Sequence, residues 1–506
     1  MGRLYQLFAL ASVLCVFNYV RTECRGLRYN KALMVATFTA LFFVTIGYKQ
    51  LSIPYLTYLF IGIVGIPAII YGVMYDPNIL LIIAATYIPF NLILPADFGG
   101  LSKAFNGTNV VLIALFIGFI LGKKKTYSIN LPKSNIIIKL AILYALLSII
   151  SFVRGSLFHG VDYLLAFLFP LKRWLTPMVL MVFFYRMLKD REMIKIIYAI
   201  FMILVIANIL YGVFEWIEIG FSTYTDFKRR LGGMNGGPNF YGAFLAYYLC
   251  LIIAPFLTSF RKPSAKFLIF PILIGLRIII PTNSRGAWIS LPPALLTVSF
   301  FKNKILFLMA IIATVLVFLF FPMLIPDTVM MRVEAAVDRE NLSGIYAEQS
   351  YNPVGFLSAS KSVSMHTRAT LLAGGLKMMH LNPWFGLGWG TFPYLIGNYT
   401  EGGLRGTSHN MVLRLACEMG FTTIVVLGVF LVLMFKCGFY VFRREKDAML
   451  KGMALGYMAS IPAIIVCNFT GNRFDSVDLI SIFWILSACV MRLKDIIHYE
   501  RALELR

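Results

Sequence analysis

The chain has 506 residues, 59% of them hydrophobic and 14% charged, and its 46 Lys and Arg against 23 Asp and Glu leave a formal net charge of +23. Soluble domains carry about 45–50% apolar and about 25% charged residues. With a mean hydropathy of +0.80, the chain is excluded from the soluble basic domains, and with them from the nucleic-acid partners that such a charge would otherwise suggest.

A helix needs about 20 apolar residues, range about 17–25, to cross the hydrocarbon core. Runs that meet this need fall near 32–48, 53–74, 78–95, 107–122, 134–153, 163–185, 194–217, 239–260, 267–281, 286–301, 305–325, 409–435, 451–470 and 476–491. They predict an all-α, polytopic transmembrane helical bundle of about 14 spans. A large periplasmic loop with short helices sits between the eleventh and twelfth. Segments 267–281 and 286–301, parted by Pro281 and Asn283-Ser284-Arg285, read as a tight helical hairpin. Leu4 to Val20 reads as a further span or an in-plane anchor. It does not read as a signal peptide, because Arg21, Arg25, Arg28 and Lys31 follow it and no small-residue cleavage site does. The chain then divides into 1–31, a hydrophobic segment with a basic stretch; 32–160, spans without a clear motif; 161–325, a core with Arg-bearing outer loops; 326–408, the periplasmic loop; and 409–506, the last spans and a cytoplasmic tail.

Charge placement tests this order. Cytoplasmic loops are enriched in Lys and Arg. Alternating the spans puts the 21–31 cluster, Lys123–Lys125, the 186–195 loop, Arg261–Lys266, Lys302–Lys304, the 436–451 loop and the tail from Arg492 on one side. With Arg3, Lys139 and the turn at Asp76, that side holds 28 of the 46 basic residues but only 9 of the 23 acidic ones. The basicity is therefore mostly topological, and it predicts a cytoplasmic C-terminus. The seven Cys fall in spans or on the same side, so no disulfide framework or paired metal spacing is expected.

Basic residues that survive on the outer side need a reason, since an ionisable group at a span centre costs about 2.5–3.5 kcal/mol on insertion scales. Arg230 opens the turn Leu-Gly-Gly-Met-Asn-Gly-Gly-Pro that leads to a span beginning near Asn239. Arg285 stands at the outer turn of the short hairpin, with Arg277 eight residues earlier. His409 opens a span, and Arg414 and Glu418 follow at i,i+4 spacing on one helix face. Lys172 and Arg173 lie within 163–185. Arg368 precedes an amphipathic run of Leu371, Leu372, Leu376 and Met379, read as an interfacial helix ending at Pro383. Each has a plainer reading: snorkelling beside Trp288 for Arg285, a helix cap for the Gly/Asn turn, a structural interface residue for His409, a packing pair for Arg414 and Glu418. Together they gather at the outer face. Guanidinium groups without acidic metal-ligand pairs suit a diphosphate, because the planar fork binds phosphate bidentately and keeps its charge. A histidine can serve as base toward a hydroxyl.

Four blocks resemble the O-antigen ligase/polymerase superfamily of bacterial polytopic glycosyltransferases: Arg230 to Gly242; Thr282-Asn-Ser-Arg285-Gly-Ala-Trp; Arg368 through Asn382-Pro-Trp-Phe-Gly386-Leu-Gly388-Trp-Gly390; and Ser408-His409-Asn410 with Glu418-Met-Gly420. The likeness spans roughly 160–490. It implies transfer of a glycan from an undecaprenyl-diphosphate carrier to an acceptor hydroxyl, on lipid A-core or on another glycan, at the periplasmic face of the inner membrane, with no metal and no cofactor. It implies functional roles for Arg230, Arg285 and His409. Charge placement adds Arg277, Arg368, Lys172, Arg173, Arg414 and Glu418, and with Asn239 all of these but Glu418 are candidate contacts to diphosphate or glycan. About fourteen spans, where ligases commonly have about twelve, leave ligase and repeat-unit polymerase both open. A flippase or transporter for lipid-linked glycans is the rival of another class, although transporter sites usually lie near the midplane. A structural scaffold predicts that Arg230, Arg285 and His409 are dispersed.

Overall fold

The structure, a computed structural model, describes residues 14–35, 37, 64–90, 107–122, 135–220, 230–324, 368–400 and 403–504. Among them every regular element is helical: α1 (Ile66–Met74), α2 (Pro77–Tyr87), α3 (Gly107–Gly122), α4 (Ile136–Met187), α5 (Arg191–Glu218), α6 (Pro238–Thr258), α7 (Pro263–Thr282), α8 (Arg285–Lys302), α9 (Lys304–Leu324), α10 (Met411–Arg444), α11 (Ala448–Asn468) and α12 (Val477–Glu504). Six of these (α4, α5, α6, α7, α10 and α11) are long and apolar enough to cross a membrane. Most of the expected span 32–48, half of 53–74, the segment 4–13, the Lys123–Lys125 loop and loop residues 326–367 lie outside the described residues.

At 1.5 Å per residue, the 52 residues of α4 would run about 78 Å if straight, more than twice the thickness of a bilayer core of about 30 Å. The chain instead leaves helical geometry at Gly160 and turns back. Contacts pair the two legs in reverse order: Asn135 Nδ2 donates to Tyr185 Oη at 3.3 Å, Trp174 Nε1 to Ser148 Oγ at 3.1 Å, and Phe152 stacks on Tyr163. These legs are the expected segments 134–153 and 163–185. The turn expected at 283–285 is also present, with Asn283 in left-handed geometry. Its two arms find their main partners elsewhere, however: α7 packs on α5 and α6, and α8 on α11 and α6.

Side-chain caps begin several helices. Asn135 accepts from Ile137 N, Asp190 from Met193 N, Asn410 from Leu413 N and Asp447 from Met449 N, at 2.8–3.0 Å, which satisfies amides that the helix leaves open. The core lies among α5, α6, α11 and α12, where long stretches are inaccessible on every face, as befits the centre of a bundle. Outward-facing Leu308, Met309, Leu319, Ile150 and Leu165 stay exposed, a surface that suits lipid.

The segments assigned to the inside by their charge meet at one end of the bundle. Arg191 pairs with Glu445 at 3.2 Å and also with Glu500, Lys195 with Asp447 at 2.5 Å, Lys262 with Glu23 at 2.6 Å, and Arg28 with Asp76 at 3.8 Å. Here the sequence reading needs a correction: α12 does not end in a tail at Arg492 but continues as a helix to Glu504. The contact of Arg191 with Glu500, and that of Tyr185 Oη with Asp495 at 2.7 Å, give this extension partners of its own.

Candidate functional site

At the opposite end, five connections converge. The Gly-rich turn after α5 is held from below: the Glu215 carboxylate accepts from Gly232 N at 2.9 Å and Gly233 N at 2.8 Å. Asn208, deeper on α5, accepts from Met234 N at 3.2 Å and donates to Asn235 Oδ1 at 2.7 Å. Asn235 in turn donates to Asp478 Oδ2 at 3.2 Å. This buried chain of amides and carboxylates is satisfied at each step, which a low-dielectric interior demands.

So anchored, the turn presents Arg230. Its Nε donates to Thr282 O, and its Nη2 to Asn283 O and to Asn239 Oδ1, each at 3.0 Å. Arg230 thereby braces the bend that starts α8, whose first residue is Arg285. The turn between α11 and α12 supplies Arg473, almost wholly buried. Asn468 Oδ1 fixes its backbone at 3.1 Å, and its Nε and Nη1 donate to Asn239 O and Cys467 O, both at 3.1 Å. Asn239 therefore joins Arg230 to Arg473, one through its side chain and the other through its carbonyl. A Cβ on Gly286 would stand 3.4 Å from Arg473 Nη2, so this guanidinium lies against the start of α8.

Arg368 enters on a helix described over residues 368–381. Its Leu371 and Met378 pack with Phe392, Ile396, Leu413 and Cys417 in a small core separate from that of the bundle. The other face leaves Leu372 and Leu376 exposed. His409, with φ +48°, sits just ahead of α10. The neighbouring Ser408 Oγ is 2.8 Å from Asn410 O and 3.0 Å from Asn472 Oδ1, which ties the His409 turn to the Arg473 turn.

The electrostatics are one-sided. Burial, then the fields of Arg285, Arg368 and Arg473, pull Arg230 down to about 10. Burial and the fields of Arg285 and Arg473 lower Arg368 too. The His409 imidazole is lowered by burial and then by Arg368 and Arg473. Among the described residues, no carboxylate forms an ion pair with Arg230, Arg368 or Arg473. A cluster of like charges at the end of an apolar bundle is an anion receptor by its physics.

The structure thus brings together Arg230, Asn239, Arg285, Arg368 and His409. Four other candidates stand apart. The Arg277 guanidinium lies over the Trp216 ring at 4.5 Å. Lys172 borders a groove of about 370 Å³ with Leu112, Ile149, Leu168 and Leu171. Arg173 bears on Asp478, beneath the Gly-rich turn. Arg414 forms the expected pair with Glu418 at 3.1 Å, but it also pairs with Asp475 and lies over Trp389. Arg473 was missed. It lies in the short outer turn Gly471–Asp475, where the scarcity of outer charge that singled out Arg230 applies equally.

The Pro383–Gly390 segment crosses α10 at a break in that helix. Leu387 N and Gly388 N donate to Cys417 O and Glu418 O at 2.8 and 2.9 Å, and Phe421 N donates to Pro383 O at 2.8 Å. Glu418 accepts from Phe392 N at 3.2 Å. From the hairpin tip of α4, Arg154 donates to Gly386 O at 2.8 Å and Tyr163 donates to Trp389 O. This lacing fixes the platform beside His409.

The molecule is thus a helical, multi-pass membrane protein with a cluster of guanidinium groups at one end of its bundle. Residues 270–428 match the family model described as O-antigen ligase, so this part of the chain is similar to that family. The match includes Arg285, Arg368, His409 and the Glu418–Gly420 block, while Arg230 and Arg473 lie on either side of it. No curated protein matches the chain.

Proposed function

We propose that the protein is a metal-independent glycosyltransferase of the ligase type. It moves a glycan from an undecaprenyl-diphosphate carrier to an acceptor hydroxyl at the periplasmic face of the bacterial inner membrane, in lipopolysaccharide or surface polysaccharide synthesis. The observation that carries this reading is the convergence of Arg230, Arg285, Arg368 and His409 from distant parts of the chain. In this reading the ion-paired end faces the cytoplasm, with the C-terminus; about fourteen spans cross the bilayer; and residues 326–408 form the periplasmic loop. Repeat-unit polymerisation would use the same chemistry, with a second carrier-linked glycan as acceptor.

Arg230 and Arg285 hold the donor diphosphate and stabilise the charge that grows on it as the sugar–phosphate bond breaks, which is electrostatic catalysis. Arg230 is suited to this task because its carbonyl partners fix the guanidinium before substrate arrives. His409 accepts the proton of the acceptor hydroxyl as that oxygen attacks the anomeric carbon from the side opposite the diphosphate. The products are the inverted glycoside and the carrier diphosphate. The groove beside Lys172 suits part of an apolar carrier chain.

The test is transfer in nanodiscs with a carrier-linked donor and an acceptor glycan. Arg285→Ala and His409→Ala each reduce turnover at least a hundredfold while insertion and thermal unfolding are unchanged. Full transfer by both variants overturns the assignment. Carrier-dependent translocation without transfer would establish the transporter instead.

A further inference from the structure

We infer that Arg368 and Arg473 form a second oxyanion subsite beside His409, which receives an anionic group carried by the acceptor. The inference rests on the functional reading above and adds a substrate class to it: the acceptor glycan bears a phosphate or carboxylate near the hydroxyl that attacks.

The argument begins with how the guanidinium groups are divided. Arg230 is committed to the bend that begins α8, through Thr282 O and Asn283 O, and so belongs with Arg285 on the donor side. Arg473 gives its Nε to the Asn239 carbonyl oxygen, and its turn is joined to that of His409 through Asn472 and Ser408. The charges of Arg368 and Arg473 both bear on His409. A hydroxyl that reaches His409 therefore brings its sugar ring against this second pair.

Arg368 is incomplete as it stands. Its Nε is buried and has no hydrogen-bond partner among the described residues, and the charges that act on it are further guanidinium groups, Arg285 and Arg473. Buried donors are normally satisfied, and like charges held together disfavour one another. An oxyanion between Arg368 and Arg473 removes both penalties, since its oxygens accept from the two forks at once. Arg473 donates from Nε and Nη1, and among the described residues its Nη2 has no acceptor, so it remains for such a group.

The experiment is calorimetric titration of the whole protein in nanodiscs. Inorganic pyrophosphate serves as the donor-side probe, and inorganic phosphate or acetate as the acceptor-side probe. With pyrophosphate saturating, phosphate or acetate is expected to bind saturably, and the ion that does so identifies the acceptor group. Arg368→Gln and Arg473→Gln should each weaken that binding at least tenfold and leave pyrophosphate affinity within twofold. In turnover assays, both variants should raise KM for an anionic acceptor far more than KM for donor. If phosphate and acetate merely displace pyrophosphate, or if both variants weaken pyrophosphate as much as the second ion, the subsite does not exist. Failure of pyrophosphate itself to bind is a separate outcome, and it overturns the functional reading instead. Arg368→Gln keeps the test decisive should Arg473→Gln not fold, because Arg368 makes none of the loop contacts of Arg473.

Discussion

Gly386 and Gly420 mark one backbone-to-backbone contact, in which the segment that carries each fills the space a side chain on the other would need. A Cβ on Gly386 would come within 2.3 Å of the Glu418 carbonyl carbon, and one on Gly420 within 2.2 Å of Trp384 O. Both have positive φ, +67° and +78°, a region that L side chains rarely adopt. The break in α10 and the glycine turn after Asn382 are thus one structural unit. We expect Gly386→Ala and Gly420→Ala each to destabilise the fold, by about 1–3 kcal/mol. Thermal unfolding in detergent would show this as a lower midpoint, and combining the two should cost less than their sum, because they break the same contact.

Glu418 lies next to that junction, with its side chain only 1% exposed and paired to Arg414. Removing one member of a buried pair leaves an uncompensated charge, at a cost of about 3–5 kcal/mol. Glu418→Ala should fall in this range, although the half-exposed Asp475 remains as a second partner for Arg414. Arg414→Met combined with Glu418→Leu should recover much of the loss, since only the partly exposed Asp475 then lacks its partner. Unfolding midpoints of the singles and the double variant form the thermodynamic cycle that checks it.

Much of this architecture was legible from hydropathy and charge because the bilayer permits few solutions. A run of apolar residues must be a helix there, and α5, α6, α9 and α11 fall within a few residues of the expected spans. The ionic end was readable for the same reason. Arg230, Arg285, Arg368 and His409 were readable because a charge kept outside is rare. What the pattern could not give was distance. The i,i+4 spacing of Arg414 and Glu418 announces a pair, but nothing in the spacing announces Asp475 as a third member. Nor does it show that Arg277 turns to Trp216 while Arg473 joins Arg230 through Asn239. The extension of α12 beyond Arg492 was missed because its charges resemble a solvated tail until their partners on α4, α5 and α10 are known.

Glu215 offers a prediction about support at a distance from the chemistry. Its carboxylate takes the Gly232 and Gly233 amides and makes no contact with the guanidinium cluster. Glu215→Ala leaves those amides without acceptors, at about 1–3 kcal/mol, and loosens the turn that aims Arg230. We expect turnover to fall roughly tenfold. Glu215→Gln keeps one carboxamide oxygen as acceptor and should retain most activity, so the ratio of the two rates measures how much of the effect is positioning.

The pH dependence of transfer follows from His409. Its ordinary value is 6.5, and burial with Arg368 and Arg473 nearby moves it lower. A cationic neighbour disfavours the imidazolium, so His409 is neutral, and able to take a proton, throughout the neutral range. Transfer should be flat above about pH 6.5 and decline only in more acid solution. The stability term has the same sign: the unfolded chain binds the proton at higher pH than the folded one, so stability is lost as pH falls through that window. Arg368→Gln removes one of the two charges, which raises the His409 pKa and shifts the acid limb toward neutrality. The check is the normalised rate profile from pH 5 to 8 for both proteins. A limb that stays in place, or moves to lower pH in Arg368→Gln, would show that the titrating base is not His409.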